Sequence, residues 1–252
     1  MKIVACVKRV PATDTRVKVA ADGTSIDTAQ VEWIINPYDE FAVEAALRVK
    51  EQAGSGEVIV VSVGAAETTK ELRTCLAMGA DRAVLVKDAD AHRRDAAATA
   101  RVLAPVLEEI GPDLVLCGKQ AVDRDQGQVG TLLAYALGMP CVTEIRSLAV
   151  EDGKAQVERS GEDGTTERYE VTLPAVLTCQ KGLNEPRYAN LKGIMAAKKK
   201  PIEERDGAGI EDRIAIRALE LPAARPEGRI VGEGPDAVDE LVRLLRQEAK
   251  VI

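Results

Sequence analysis

The sequence predicts an α/β fold, namely a doubly wound, Rossmann-like parallel sheet with a small antiparallel addition and an extended C-terminal arm ending in a helix. Three observations predict it. Short runs rich in Val, Leu and Ile alternate with helical patterns over the first two thirds of the chain. Aromatic residues make up only 2% of the 252 residues, so the core must be aliphatic, as in buried parallel strands. After Pro140 the pattern changes to alternating residues separated by turn signals.

Four central strands are predicted from short apolar runs bounded by polar residues or glycine. They cover residues 3–7, 57–63, 82–86 and 113–117, and Gly64 and Gly118 follow the second and the fourth. Helices are predicted between them. The first begins at Asn36-Pro37, because asparagine suits an N-cap and proline the first helical position. Others cover about 67–78, 95–110 and 128–137, each followed by a glycine that stops the helix.

The remainder of the chain has a different character. Turn signals at residues 151–153 and 161–164 predict antiparallel strands, and residues 174–178 predict one more buried strand. Residues 202–234 are polar and rich in Gly and Pro, and a helix follows with apolar residues at helical spacing. We therefore divide the chain into an α/β nucleotide-binding domain (1–185), a recognition loop and short helix (186–201) and an extended arm and helix (202–252). Such an arm is either flexible or wraps a partner.

Composition narrows the classes of function. The net charge of −7 argues against general nucleic-acid binding, and no apolar run is long enough to span a bilayer. The five cysteines are odd in number and widely spaced, which indicates a reducing, cytoplasmic location. The single histidine, His92, lies in a polar stretch, so we predict no metal site and no catalytic residues.

The best candidate for chemistry is the segment 118–131, which follows a buried strand and opens a helix. Nucleotides bind at this position in α/β proteins, and free backbone amides at residues 128–131 could hold a phosphate. A plain connecting loop is an equally good interpretation. Asp123 and Asp125 suit ribose contacts or backbone capping better than catalysis. The helix start at residues 36–39 is a second candidate, or only a helix cap.

Two features lie within the predicted recognition loop and short helix. Lys198, Lys199 and Lys200 form a short basic run, interpreted as a solvated helix end whose cations complement the dipole. Leu191 is a single apolar residue in a polar neighbourhood. It is either an ordinary leucine or an anchor that inserts into a partner's pocket.

Several segments together match a known family. They are Val7-Lys8-Arg9-Val10, Asn36-Pro37-Tyr38-Asp39-Glu40, Ala77-Met78-Gly79-Ala80-Asp81-Arg82, Gly118-Lys119-Gln120-Ala121-Val122-Asp123 and Leu183-Asn184-Glu185-Pro186-Arg187-Tyr188. In this order they resemble the beta subunit of electron-transfer flavoproteins, and the match extends from the first strand to at least Pro201.

The resemblance implies an electron carrier subunit rather than an enzyme that acts by itself. It implies a heterodimer with an alpha subunit that holds most of the FAD, while the beta subunit binds a structural AMP. Electrons would pass from acyl-CoA dehydrogenase-type flavoenzymes of fatty acid oxidation to the FAD, and then to a quinone oxidoreductase. A stand-alone nucleotide-binding sensor of similar fold is the alternative if the resemblance misleads.

The resemblance also implies site residues. Those for the nucleotide are Cys6, Asn36, Pro37, Tyr38, Asp39, Val63, Ala121, Val122, Asp123, Arg124, Asp125, Gln126, Gly127, Gln128, Val129, Gly130, Thr131 and Leu132. Those for docking the electron donor are Leu191, Tyr188, Arg187, Ile194 and Met195.

One detail leaves an alternative open. The Gln128-Val129-Gly130 ending of the loop resembles beta subunits of bifurcating members, which bind a second FAD in place of AMP. The Asn36-Pro37-Tyr38-Asp39 and Leu183–Tyr188 motifs resemble the non-bifurcating group, and we therefore expect AMP.

Overall fold

The structure is a computed structural model that describes residues 1–207, 210, 211, 213–224 and 227–252. It contains two compact units, Met1–Ala218 and Leu219–Ile252. Among the described residues, no helix has the length and apolar character needed to cross a membrane.

The first unit alternates strands and helices as predicted. Its strands are β1 (Lys2–Cys6), β2 (Arg9–Pro11), β3 (Trp33–Ile35), β4 (Glu57–Gly64), β5 (Arg82–Lys87), β6 (Leu114–Gly118), β7 (Cys141–Glu151), β8 (Lys154–Ser160), β9 (Thr166–Thr172), β10 (Ala175–Cys179) and β11 (Ile202–Asp206). Its helices are α1 (Pro37–Ala53), α2 (Thr69–Met78), α3 (Ala96–Ile110), α4 (Val129–Leu137) and α5 (Leu191–Ala197).

The main sheet has the order β11-β5-β4-β1-β6-β10-β7-β8-β9. Pairing is parallel from β11 to β7 and antiparallel from β7 to β9. The chain runs from β1 through β4 to β5 on one side and then crosses to β6 on the other side of β1. The predicted fold class, a doubly wound sheet with a small antiparallel addition, is confirmed.

Two apolar layers cover the parallel strands. Alternate residues such as Ile3 and Ala5 face the layer that contains α1 and α2. Val4 and Cys6 face the layer that contains α3 and α4. Residues of β1 are buried on both faces, which explains why this strand is a continuous apolar run rather than an alternating one.

The helix boundaries follow the sequence signals closely. Pro37 is in the first turn of α1, and Asp95 caps α3 by accepting a hydrogen bond of 2.6 Å from the amide of Ala98. Gly111 and Gly138 follow α3 and α4 with left-handed backbone angles, which glycine adopts without strain.

Two parts of the first unit were not predicted. Strands β2 and β3 form a separate antiparallel pair, and β11 adds a parallel edge strand beside β5. The sequence of β11, Ile-Glu-Glu-Arg-Asp, is mostly polar because an edge strand remains largely exposed. This strand lies within the segment assigned to the arm, whose starting point at residue 202 remains a prediction.

The second unit contains one predicted feature, the final helix. A 3-10 turn at Pro235–Ala237 leads into α6 (Val238–Gln247). Within this unit Arg229 forms an ion pair of 3.2 Å with Glu248, and Ile230 and Leu221 are exposed.

Candidate functional site

A pocket lies at the carboxyl ends of β1, β4 and β6, between these strands and the loop that joins β6 to α4. Because the chain leaves β1 toward β4 but later returns on its opposite side at β6, this is the topological switch point of the sheet. Open α/β sheets bind their ligands in the crevice at this point. The fold therefore places the pocket where a ligand is expected.

The pocket brings together many of the residues predicted for the nucleotide. Its wall includes Cys6, Asp39, Val63, Ala121, Arg124, Gln126, Gly127, Gln128, Val129 and Gly130. The other predicted residues, Asn36, Pro37, Tyr38, Val122, Asp123, Asp125, Thr131 and Leu132, do not line it. The wall also contains Lys119 and Gln120, which lie within the candidate segment 118–131, and Lys8 and Arg94, which were not predicted for the nucleotide. Lys8 and Lys119 follow closely after β1 and β6, and this position just beyond a strand was an available signal.

Asp39 supports the loop after β6 from the first turn of α1. Its carboxylate accepts hydrogen bonds from the amides of Lys8, at 2.7 Å, and Gly118, at 3.0 Å. Burial raises the pKa of Asp39 to about 7, although these hydrogen bonds favour its charged form. Asp39 thus joins the ends of β1 and β6 while lining the pocket.

Asn36 holds the same loop with its side chain. Its Nδ2 donates to the carbonyl oxygen of Gln120 over 2.8 Å, and its Oδ1 accepts from the amide of Val122 at 3.1 Å. It occupies the N-cap position of α1, as predicted, but makes no side-chain capping bond. The helix start therefore positions the loop, a role that neither sequence interpretation anticipated.

Both loop aspartates have protein partners. Asp123 accepts from the ammonium group of Lys8 at 2.6 Å, which joins the loop to the segment after β1. Asp125 accepts from the side-chain amide of Gln120 at 2.8 Å. Its own amide donates to the carbonyl oxygen of Ala121, also at 2.8 Å. Both carboxylates thus contact side chains rather than backbone amides, so these contacts do not match the capping interpretation; the backbone hydrogen bond of Asp125 shapes the turn that leads into α4.

Four cationic side chains line the pocket, and their partners differ. Lys8 pairs with Asp123, Arg94 with Asp88, and Lys119 with Glu144 at 2.8 Å. Arg124 instead donates to the backbone carbonyl oxygens of Arg94 and His92. Within the described parts of the chain, Arg124 is the pocket cation whose charge no carboxylate neutralises.

The N-terminus of α4 forms another part of the wall. Gln128, at the N-cap position, provides no side-chain capping bond, so the first amides of the helix are available to an anion. A Cβ atom at Gly130 would lie 2.5 Å from Cγ2 of Thr178. Glycine is therefore needed here for α4 to approach β10.

Arg187, one of the predicted docking residues, is attached to α1. Its guanidinium contacts Glu44 at 2.8 Å and Glu51 at 2.6 Å, and the Glu44 side chain is only 2% exposed. Asn184 adds a hydrogen bond of 2.9 Å to the carbonyl oxygen of Phe41. The segment before α5 is thus fixed to the body of the domain.

The other predicted docking residues are exposed. Tyr188 is 97% exposed and Leu191 76% exposed, and Ile194 and Met195 lie beside them on α5. Asn190 caps this short helix by accepting from the amide of Gly193 at 2.8 Å. We call Tyr188, Leu191, Ile194 and Met195 the α5 surface.

Helix α5 is held against α2 by contacts with backbone carbonyl groups. A Cβ at Gly193 would lie 2.3 Å from the carbonyl oxygen of Ala77, so glycine permits the close approach. Arg73 donates to the carbonyl oxygens of Ala197 and Lys200 at 2.7 and 2.6 Å. Lys200 donates to the carbonyl oxygens of Leu76 and Ala80. The prediction of a solvated end was therefore wrong for Lys200, which complements the end of α2 instead.

Comparison with known proteins agrees with this architecture. The family model of the electron transfer flavoprotein domain matches residues 23–208. The beta subunit of the Bacillus subtilis electron transfer flavoprotein is 43% identical over 248 residues, covering 95% of this chain and 96% of that protein. The Bradyrhizobium diazoefficiens beta subunit is 42% identical over the full length of both chains.

A further relative belongs to a differently named assembly. It is the CarD subunit of the caffeyl-CoA reductase-Etf complex of Acetobacterium woodii, which is 44% identical over 203 residues. That similarity covers 80% of this chain and 77% of the relative. From the family match and from the full-length similarity to beta subunits, we conclude that the chain belongs to the electron transfer flavoprotein beta-subunit family.

Proposed function

We propose that this chain binds AMP in the pocket between β1 and β6 and works as the beta subunit of a heterodimeric electron carrier. In this proposal an alpha subunit holds most of the FAD, and the beta subunit helps to enclose it. Acyl-CoA dehydrogenase-type flavoenzymes dock at the α5 surface and deliver electrons, which then pass to a quinone oxidoreductase.

The observation that carries the AMP proposal is the charge of the pocket wall. Lys8, Arg94 and Lys119 each have a carboxylate partner, whereas the guanidinium of Arg124, among the residues that the structure describes, donates to neutral carbonyl groups and to no carboxylate. The amides at the start of α4, which have no side-chain cap, lie in the same wall. One uncompensated cation beside a helix N-terminus suits one phosphate group.

The test is to identify the nucleotides in the purified heterodimer. Denaturation followed by chromatography should release one FAD and one AMP for each heterodimer. Two FAD molecules and no AMP would contradict the proposal. They would support instead the bifurcating alternative, which the Gln128-Val129-Gly130 sequence also suggests.

A pair of variants tests the part played by Arg124. Arg124→Gln should weaken AMP binding about tenfold or more, because a hydrogen bond to a charged phosphate is lost. Arg93→Gln is the matched control, since Arg93 donates to Thr24 at 2.6 Å and does not line the pocket. Isothermal titration of nucleotide-depleted heterodimer measures both. Equal affinities of the two variants for AMP would show that Arg124 does not contribute to AMP binding.

Two surfaces support the proposed partners. The α5 surface combines exposed apolar side chains with a rigid attachment through Arg187 and Arg73, as expected of a docking site. The unit Leu219–Ile252 exposes Ile230, Val238 and Leu241, and has little core of its own. An alpha subunit that covers these residues would bury apolar area that is otherwise in contact with water.

A further inference from the structure

Two cysteines lie side by side in the wall of the pocket. Cys6 is the last residue of β1, Cys117 is in β6, and they are direct partners in the register of these neighbouring strands. Both side chains belong to the apolar layer beneath α3 and α4, and both line the pocket. A Cβ at Gly130 would lie 3.8 Å from Sγ of Cys117. The two thiols therefore face one space, close to the start of α4.

The remaining cysteines are placed differently. Cys75 and Cys179 belong to the layer on the opposite face of the sheet, and Cys141 lies half-buried at the margin of the α3–α4 layer. None of these three lines the pocket, and all five cysteines are free thiols. The chain thus offers one pair of adjacent thiols with access to the pocket, together with matched thiols elsewhere that serve as controls.

We infer that Cys6 and Cys117 form a dithiol site that binds trivalent organic arsenicals by bridging both sulfur atoms. The reaction is a condensation of an arsine oxide, R–As=O, with the two thiols. Two As–S bonds form, the bond between arsenic and oxygen breaks, and both thiol protons leave with the oxygen as water. Arsenic stays trivalent, so no oxidant or reductant is needed.

The geometry favours a bridging ligand over single modification. Neighbouring strands lie about 4.8 Å apart, which places two in-register thiols within reach of one arsenic atom after small rotations of their side chains. Once the first As–S bond has formed, the second is intramolecular and benefits from a high effective concentration. The neighbouring thiol of Cys6 and burial both raise the pKa of Cys117, which slows reagents that need a single thiolate.

A nucleotide in the pocket would cover both thiols. This protection rests on the proposed AMP function, whereas binding of the arsenical to the empty pocket does not. One experiment can therefore contradict the dithiol site without contradicting AMP binding, or the reverse.

The experiment uses phenylarsine oxide and the heterodimer after its nucleotide has been removed. Mass spectrometry should find one phenylarsenic group on this chain. The adduct should resist 2-mercaptoethanol and be removed by 2,3-dimercaptopropanol. Cys6→Ala and Cys117→Ala should each lower the affinity for phenylarsine oxide at least about tenfold, because only one As–S bond remains. Cys179→Ala should bind it as the wild type does.

Several outcomes would overturn the dithiol site. They are the absence of an adduct on the empty wild-type pocket, an unchanged affinity in Cys117→Ala, or equal losses in Cys117→Ala and Cys179→Ala. If the alanine variants do not fold, peptide mapping of the wild-type adduct decides, and arsenic on Cys75, Cys141 or Cys179 counts against the site. Added AMP should slow adduct formation about tenfold or more. An adduct that forms at the same rate with AMP supports the dithiol site and contradicts the nucleotide proposal.

Discussion

Arg187 forms an ion pair with Glu44 across 143 residues of the chain, with 2.8 Å between Nε and Oε2. The pair attaches the segment before α5 to the middle of α1. The first turn of the same helix carries Asn36 and Asp39, which hold the loop of the pocket. Helix α1 is therefore a common support for the pocket and for the α5 surface.

Arg187→Ala should lower the free energy of unfolding by about 2–4 kcal/mol, because it leaves the carboxylate of Glu44 buried with fewer partners. Burial raises the pKa of Glu44, but the hydrogen bonds from Arg187 and Arg48 outweigh it and bring the pKa below its usual value. Urea unfolding provides the measurement. The control Glu51→Gln removes the exposed partner of Arg187 and should cost about 1 kcal/mol or less. Similar losses of unfolding free energy in both variants would show that the burial of Glu44 does not make its ion pair with Arg187 more stabilising than the exposed pair with Glu51.

Gly118→Ala should disturb the pocket directly. The added Cβ would lie 2.3 Å from Oδ1 of Asp39 and 2.8 Å from Cβ of Tyr38, so the loop or α1 must move. We expect a loss of about 1–3 kcal/mol in stability, together with a lower content of bound AMP. Gly228→Ala is the control, because among the described residues, apart from its two chain neighbours, no heavy atom lies within 4 Å of its added Cβ. Thermal unfolding and nucleotide analysis of both proteins check this, and normal AMP content in Gly118→Ala would contradict it.

Much of the fold followed from local signals. The strands β1, β4, β5 and β6 are buried apolar runs, and glycines at residues 79, 111 and 138 end helices where the pattern stops. Each of these signals depends only on neighbours in sequence, such as periodicity or a left-handed backbone angle. The switch point depends on the strand order, which was not predicted from the sequence and which the structure provides.

The contacts that shape the site depend on distant residues and carry no local signal. Asparagine is a residue type that often caps helices, so Asn36 was predicted as a cap. Its side chain instead forms hydrogen bonds with the backbone of Gln120 and Val122. Lys200 belonged to a basic run that suggested solvation, yet it donates to carbonyl groups at the end of α2. The pairing of Arg187 with Glu44 likewise becomes visible only when the recognition segment is placed on α1.

Asp39 makes stability depend on pH near neutrality. Its pKa is raised to about 7 in the folded protein from 3.8, so between these values the folded state keeps a proton that the unfolded state has lost. The contribution of Asp39 to stability is therefore fully present below pH 3.8 and is lost as pH rises toward 7. This change amounts to at most about 4 kcal/mol. Asp39→Asn, which cannot titrate, should flatten this part of the profile.

The measurement is urea unfolding of the wild type and Asp39→Asn at several pH values from about 5 to about 8. The difference between the two profiles removes the contributions of other carboxyl groups. The stability of the wild type relative to Asp39→Asn should therefore fall as pH rises from about 5 to about 8. Profiles that run parallel would show that Asp39 does not titrate in this range.

Leu191→Ala should slow electron transfer from an acyl-CoA dehydrogenase-type donor while leaving stability and flavin content unchanged. Leu191 is 76% exposed, so its truncation removes little buried area in the free protein. In a complex it would remove an apolar anchor, and we expect the apparent affinity for the donor to fall about tenfold or more. Leu191→Met keeps the apolar volume and should retain most of the affinity. Stopped-flow reduction of the heterodimer at increasing donor concentrations separates affinity from the limiting rate. Identical kinetics in Leu191→Ala and the wild type would remove the α5 surface from the docking site.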